Sequence, residues 1–204
     1  MPLPRLHLIT ATGGDPLPML RGALGAGEAA VQVRAKGAAD RDFYHLGSRV
    51  RALCLELGGH CIINDRLDMA LAVGASGVHL GEDDLPVEAA RRVAGPTMWV
   101  GATARDPEAA GRLEAKGANY LGVGPAYPTS TKSGLPDPLG PEGIAKVVES
   151  VTIPVIAIGG VTALRVHELL EAGAYGVAVV SAVSEAEDPQ RSAAELLDAL
   201  GEAP

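Results

Sequence analysis

The chain has 204 residues, 47% of them hydrophobic, and carries a formal net charge of −8. This size and composition predict a single domain over residues 1–204 with a sizeable core. The excess negative charge disfavours nucleic-acid and anionic-membrane partners, and no stretch approaches the roughly 20 apolar residues that a membrane span requires.

Eight strand-like runs alternate with helix-like segments along the chain, which is the order typical of an α/β protein with a parallel sheet and crossover helices. Several runs, such as Val177–Val180, are continuously apolar, as expected of strands that are buried on both faces. The predicted strands are Leu6–Thr10, Ala30–Arg34, His60–Ile63, Gly77–Leu80, Trp99–Ala102, Tyr120–Val123, Val155–Ile158 and Gly176–Val180.

Helix-like segments lie between these runs, and a Gly-Ala pair precedes three of the strands, where glycine can end a helix in the left-handed conformation. Eight strands and eight helices predict a single-domain (β/α)8 TIM barrel. A doubly wound open sheet is the rival fold, but the turn after the first run lacks the Gly-x-Gly-x-x-Gly spacing of that fold. The predicted helices include Asp40–Leu57, Val87–Val93, Pro107–Lys116, Pro141–Ser150, Ala163–Glu171 and Pro189–Leu200.

The two cysteines, Cys54 and Cys61, have apolar neighbours and form neither a metal-binding spacing nor a disulfide framework. The first residues lack the long apolar segment of a secretion signal. We therefore expect a cytoplasmic, unprocessed protein, and the sequence leaves open whether it forms a homo-oligomer.

Polar residues follow most of the predicted strands, at the end where barrels of this kind carry their catalytic groups. Cations and hydroxyls dominate this set, which is typical of a site for anionic ligands. The candidates are Gln32, Arg34, Lys36, Asn64, Asp65, Asp84, Thr103, Thr129, Thr131, Lys132, Gly160 and Ser181.

A phosphate site is suggested by Gly159-Gly160 after the seventh strand and by Ser181 after the eighth. Glycines let backbone N–H groups approach phosphate oxygens, and a following helix adds partial positive charge. A tight turn that needs glycine only for steric reasons is the alternative.

A metal site is suggested by Asp65 and Asp84, which follow neighbouring strands about 4.8 Å apart in a sheet. Two carboxylates without histidine or cysteine suit Mg²⁺, which is usually held by one or two carboxylates together with substrate phosphates. The alternative is a helix cap at Asp65 and a solvated acidic turn at Asp84.

Arg34 and Lys36 occupy alternate positions beside Gln32 and should point the same way. In an acidic protein, local cations of this kind would attract a polyphosphate, and Lys132 in the loop after the sixth strand could close over one. The alternative for each is a solvated surface side chain. His79 is expected to be a hydrogen-bonded core residue.

The strand ends together resemble those of thiamine phosphate synthase, from about Leu6 to Asp188. The motifs that carry the resemblance are Gln32-Val-Arg34-Ala-Lys36, Ile63-Asn64-Asp65-Arg66-Leu-Asp68, Gly77-Val-His79-Leu-Gly81 with Asp84, Gly122-Val-Gly124-Pro125-Ala-Tyr-Pro128-Thr129-Ser-Thr131-Lys132, Ala157-Ile-Gly159-Gly160 and Val179-Val-Ser181-Ala182. The chain differs from the usual family pattern at Ala11, Glu82, Thr103, Arg105 and Arg165.

The resemblance implies an enzyme that joins hydroxymethylpyrimidine diphosphate to hydroxyethylthiazole phosphate, giving thiamine phosphate and pyrophosphate. It implies that the run from Gln32 to Lys36, together with Asn64, holds the pyrimidine diphosphate, and that Asp65 and Asp84 bind Mg²⁺. It further implies that Lys132 contacts the pyrophosphate. Thr103 would supply the hydroxyl group that the family carries after the fifth strand. The thiazole phosphate would be held by Thr129, Thr131, Gly160, Val180 and Ser181.

Two other functions stay open at this point. One is thiazole tautomerase, a relative with the same fold that tends to lose the metal aspartates. The other is a non-catalytic regulatory barrel that binds a phosphate ligand. Retention of Asn64, Asp65 and Asp84 favours the synthase.

Overall fold

The structure is a computed structural model that describes residues 2–11, 13–129, 131 and 134–201. Strands and helices alternate through these ranges. The strands are β1 (Leu6–Ile9), β2 (Ala30–Val33), β3 (His60–Asn64), β4 (Gly77–Leu80), β5 (Trp99–Ala104), β6 (Tyr120–Val123), β7 (Val155–Ile158) and β8 (Gly176–Val179). The helices are α1 (Leu17–Ala26), α2 (Asp40–Leu57), α3 (Leu67–Val73), α4 (Val87–Ala94), α5 (Pro107–Ala115), α6 (Gly140–Val148), α7 (Ala163–Glu171), α8 (Ser181–Ser184) and α9 (Pro189–Gly201).

The eight strands form one closed parallel barrel in chain order. Each strand pairs with the next, and β8 returns to pair with β1, where Leu8 lies opposite Val179. The (β/α)8 prediction is confirmed, and the open-sheet rival is wrong. Within the described ranges the last strand is followed by two helices, the one-turn α8 and the long α9, so the prediction of eight helices is one short.

Five of the eight strands end one or two residues away from the predicted boundary, whereas β4, β6 and β7 end as predicted. β3 includes Asn64 and β5 includes Thr103, because the ladder continues through the pairs Asn64–His79 and Thr103–Gly122. β2 ends before Arg34, since the Arg34 N–H donates to the hydroxyl oxygen of Thr10 at 2.8 Å instead of to a strand carbonyl. Two of the residues placed after strands therefore belong to the sheet itself.

Alternation along each strand separates an outer core from an inner one. The outward side chains pack against the helices in a large aliphatic cluster, which matches the aromatic-poor composition. The inner cluster is smaller and contains the two largest side chains of the barrel lumen, Trp99 and Tyr120. Gly101 makes room for the Tyr120 ring, because a Cβ at Gly101 would lie 2.1 Å from Cζ of that ring.

The first and last elements are fastened together. Arg5 Nε donates to the carbonyl oxygen of Tyr175 at 2.8 Å, and Arg5 Nη1 donates to that of Leu200 at 2.5 Å. Helix α9 also packs along α1. In the part of the chain that the structure describes, no helix combines the length and the apolar character needed to cross a bilayer.

Candidate active site

A cavity of about 210 Å³ opens between the carboxyl ends of the strands. Inward-facing residues form its walls, and a polar side and an apolar side can be distinguished. The predicted candidates that line it are Gln32, Arg34, Asn64, Thr103, Thr129 and Thr131. The lining residues that the sequence analysis did not single out as site residues include His7, Ile9, Tyr120, Leu135, Ile156 and Ile158.

Asp65 is held at the rim by an unusual backbone conformation. Its φ is +64°, the one positive value found at a non-glycine position in the described ranges. The N–H of Arg66 donates to the carbonyl of Asn64 at 2.8 Å, and the N–H of Asp65 donates to the carbonyl of His79 at 2.8 Å. Such a γ-turn is strained for a residue with a Cβ, and strain of this kind is concentrated at functional sites.

Asp84 lies beside Asp65, as predicted for residues that follow neighbouring strands. Its Oδ2 atom accepts a hydrogen bond from the N–H of Gly81 at 2.6 Å. The pKa of Asp65 is raised, first by burial and then by hydrogen bonding to and charge repulsion from Asp84. The alternative that Asp65 caps a helix is wrong, since the cap position of α3 is Arg66 and no side chain caps that helix.

Two of the predicted cations, Lys36 and Arg34, lie near this pair of carboxylates. Lys36 Nζ lies 3.8 Å from Asp65 Oδ2, although the Lys36 side chain remains 57% exposed. Arg34 lines the cavity, and its charge, with that of Lys36, pulls the pKa of Asp65 in the downward direction. Two carboxylates and two cations therefore lie close together on one side of the rim.

Hydroxyl groups gather on the opposite side. Thr129 Oγ1 donates to Thr131 Oγ1 at 3.2 Å, and the Thr131 N–H donates to Thr129 Oγ1 at 3.3 Å. Thr131 Oγ1 lies 3.5 Å from Ser181 Oγ, although the two residues are 50 positions apart. Val180 occupies the cap position of α8, next to Ser181. Lys132 lies outside the described residues, so its predicted contact stays a prediction.

The two glycines after β7 have φ values of +96° and +64°. A Cβ on Gly160 would also lie 2.6 Å from the carbonyl oxygen of Pro128. Sterics alone therefore require glycine there, as the tight-turn alternative stated. Whether the turn also holds a phosphate stays a prediction.

Comparison with known proteins identifies the family. A family model described as thiamine monophosphate synthase matches residues 6–183. The thiamine-phosphate synthase of Salinispora arenicola is 52% identical over 203 residues, which covers 97% of this chain and 98% of that protein. A thiamine phosphate pyrophosphorylase structure from Pyrococcus furiosus superposes with a TM-score of 0.89 at 40% identity, over 98% of this chain and 96% of that one.

The chain belongs to the thiamine monophosphate synthase family. It is thus an enzyme of thiamine biosynthesis, as the resemblance implied, and its reaction condenses a pyrimidine diphosphate with a thiazole phosphate. The Chlorobium limicola thiamine-phosphate synthase, 43% identical over 97% of this chain and 94% of that protein, agrees with this assignment. A 3-hexulose-6-phosphate synthase with a TM-score of 0.74 but 16% identity shares the fold alone.

In this member of the thiamine monophosphate synthase family, the side chains of Tyr120, His79 and Thr103 border the cavity and are linked to one another by hydrogen bonds. His79 Nδ1 lies 3.1 Å from the Tyr120 hydroxyl, and His79 Nε2 lies 3.0 Å from Thr103 Oγ1. Burial lowers the pKa of His79 to about 4, so the ring is neutral at pH 7. The expectation of a hydrogen-bonded core histidine is confirmed, and His79 also borders the cavity.

Tyr120 is the lining residue that sequence reasoning missed most clearly. It starts β6 and faces inward, two positions before Gly122, which also lines the cavity. Extending the alternation of inward positions one step back along the strand would have found it. Because the chain is only 3% aromatic, a tyrosine at an inward position is itself a signal.

Proposed function

We propose that the condensation takes place in this cavity, with the pyrimidine diphosphate on the cationic side and the thiazole phosphate on the hydroxyl side. The observation that supports this division is the separation of the rim into two polar groups. Asp65, Asp84, Lys36 and Arg34 form one group, and the hydroxyls next to Ser181 form the other.

On the cationic side, Gln32, Arg34, Lys36 and Asn64 bind the pyrimidine diphosphate. Pyrophosphate gains charge as the carbon–oxygen bond breaks, and cations that are already in place stabilise that charge without reorganising. Arg34 follows β2 directly and is partly buried, so its position is set by the barrel. We assign Thr103 to the same reaction, because its hydroxyl is oriented by His79 at the cavity wall.

Asp65 and Asp84 fit a magnesium ion. Burial and, after it, the neighbouring Asp84 carboxylate raise the pKa of Asp65, and a divalent cation would relieve the repulsion between the two carboxylates. No group of three histidine, cysteine or acidic side chains forms a metal site among the residues the structure describes. A two-carboxylate site suits Mg²⁺, which takes its other ligands from water and substrate phosphates. When bound, the ion would neutralise charge on the departing pyrophosphate.

On the hydroxyl side, Thr129, Thr131 and Ser181 hold the thiazole phosphate, with the backbone at Gly160 and Val180. Neutral hydroxyl and N–H donors bind a phosphate well without adding charge that would compete for the diphosphate. Lys132 completes the site by a contact to the pyrophosphate, and this assignment depends on the family resemblance alone.

The test combines both substrates with the purified protein and Mg²⁺. We expect pyrophosphate and thiamine phosphate to form and a chelator to stop both. Asp65→Asn should abolish turnover and weaken Mg²⁺ binding measured by calorimetry; asparagine is chosen because it tolerates positive φ. Asp83→Asn, on the neighbouring exposed turn, is the matched control and should leave both unchanged. Full activity of Asp65→Asn would contradict the metal assignment, and absence of product in the wild type would contradict the function.

A further inference from the structure

Arg165, in the first turn of α7, contacts both loops that border the hydroxyl side of the cavity. Its Nη1 atom donates to the carbonyl oxygen of Gly160 at 2.7 Å. Its guanidinium carbon lies 4.4 Å from the centroid of the Tyr127 ring, within range of a cation–π interaction. The proposed function gives Arg165 no part in the reaction.

Tyr127 is held from several directions at once. Its N–H donates to the carbonyl of Gly159 at 3.0 Å, and its hydroxyl donates to Glu168 Oε1 at 2.5 Å. Glu168 lies one helical turn after Arg165, so α7 holds the face of the ring with one side chain and its tip with another. Burial and the Glu168 carboxylate raise the pKa of Tyr127, which keeps the hydroxyl protonated as a donor.

This contact bears directly on the proposed thiazole-phosphate site. Thr129 follows Tyr127 by two residues, and the space beside Gly160 is already occupied by Pro128 and Tyr127. The two loops are thus packed together without a gap. A movement of Tyr127 away from Gly160 would move Thr129 and Thr131 with it.

We propose that Arg165 is a positioning residue that clamps residues 124–129, which follow β6, against the Gly159-Gly160 turn. In doing so it sets the spacing between the hydroxyls and the turn, and thereby the affinity for the thiazole phosphate. This inference rests on the proposed function of that side of the cavity. The clamp itself, however, can be measured without substrate.

Arginine is suited to the clamp because its planar group stacks on a ring face while an edge N–H donates to a carbonyl. Lysine keeps the charge but cannot satisfy both contacts in this geometry. Arg165→Lys therefore separates a clamp from a simple charge near the phosphate. Arg191→Ala is the matched control, since Arg191 lies on α9 and its side chain pairs with Glu195 at 3.0 Å on the same helix.

Two measurements test the proposal. In steady-state kinetics, Arg165→Ala and Arg165→Lys should both raise the KM for the thiazole phosphate about tenfold, as expected from loss of a charged hydrogen bond and a cation–π contact. The KM for the pyrimidine diphosphate should stay unchanged. In hydrogen exchange without substrate, the amides of Ala126 and Tyr127, which donate to the carbonyls of Ile158 and Gly159, should lose protection in both variants and not in Arg191→Ala.

Several results would overturn the clamp. Rescue of the KM by lysine would indicate a direct charge on the phosphate, and unchanged exchange in Arg165→Ala would show that the loops do not depend on it. If Arg165→Ala fails to fold, the exchange measured in Arg165→Lys decides instead, and unchanged protection of the Tyr127 amide there overturns the clamp. If Ser181→Ala leaves the KM for the thiazole phosphate unchanged, the phosphate assignment fails, while the exchange result still decides the clamp.

Discussion

The buried imidazole of His7 should make the protein markedly less stable in mild acid. His7 faces the barrel lumen, its Nε2 lies 3.1 Å from the carbonyl oxygen of Pro4, and its ring packs edge-on against Tyr120 at 5.3 Å. Burial, helped by repulsion from a charged His79, lowers the pKa of His7 from 6.5 to about 3. The unfolded chain therefore takes up the proton first, and stability is lost as the pH falls below 6.5.

The free energy of unfolding that is lost at pH 5 depends almost entirely on protonation of this histidine in the unfolded chain. At that pH an unfolded histidine is nearly all protonated and folded His7 is not, so the unfolded state gains about 2 kcal/mol from this one group. The value hardly changes if the folded pKa is anywhere below 4. His79, with a pKa lowered to about 4, adds a loss of the same sign.

Urea unfolding at pH 8 and at pH 5 measures this effect. The substitution His7→Gln supplies an amide N–H donor in place of the imidazole and removes the titrating group, so the pH-dependent loss should shrink by about 2 kcal/mol relative to the wild type. The exposed His45 supplies the control, and His45→Gln should show the wild-type loss. If His7→Gln also shows the wild-type loss, His7 is not held neutral by the fold and the reasoning is refuted. A lower stability of His7→Gln at both pH values would not affect this comparison.

Three glycine substitutions test the packing. Gly160→Ala should raise the KM for the thiazole phosphate and lower the free energy of unfolding by about 1–2 kcal/mol, since a left-handed φ and the Pro128 carbonyl both oppose a Cβ. Gly111→Ala, in open space on α5, should instead stabilise the protein by about 0.5–1 kcal/mol. Gly101→Ala should cost about 3 kcal/mol because its Cβ would overlap the Tyr120 ring, and its thermal midpoint should drop below that of Gly160→Ala; equal midpoints would contradict the packing of the lumen.

The barrel and the polar half of its mouth could be predicted because both depend on regular patterns. Continuous apolar runs separated by helix-length segments leave few arrangements besides a parallel barrel. Once the strands are counted, alternation brings Gln32 and Arg34 to the same side and places Asp65 and Asp84 at adjacent strand ends. These inferences need only the order of elements and the period of a strand.

The remaining features depend on contacts between distant parts of the chain. The left-handed backbone of Asp65 has no local signature, because aspartate does not require it. The approach of Thr131 to Ser181 is set by the course of a long irregular loop. The apolar wall formed by Leu135 and Ile158 could not be predicted, because an apolar residue in the sequence fits the core as well as a cavity wall.

The pairing of β8 with β1 also constrains when the molecule can finish folding. A growing chain cannot close the ring until its last strand has been synthesised, and until then two strand edges with unpaired N–H and C=O groups stay available to other chains. The hydrogen bond from Arg5 to the Leu200 carbonyl can form only after α9 has also been synthesised. Early release or stalling during translation would therefore leave an open, association-prone sheet, whereas the completed ring has no edge on which another strand can grow.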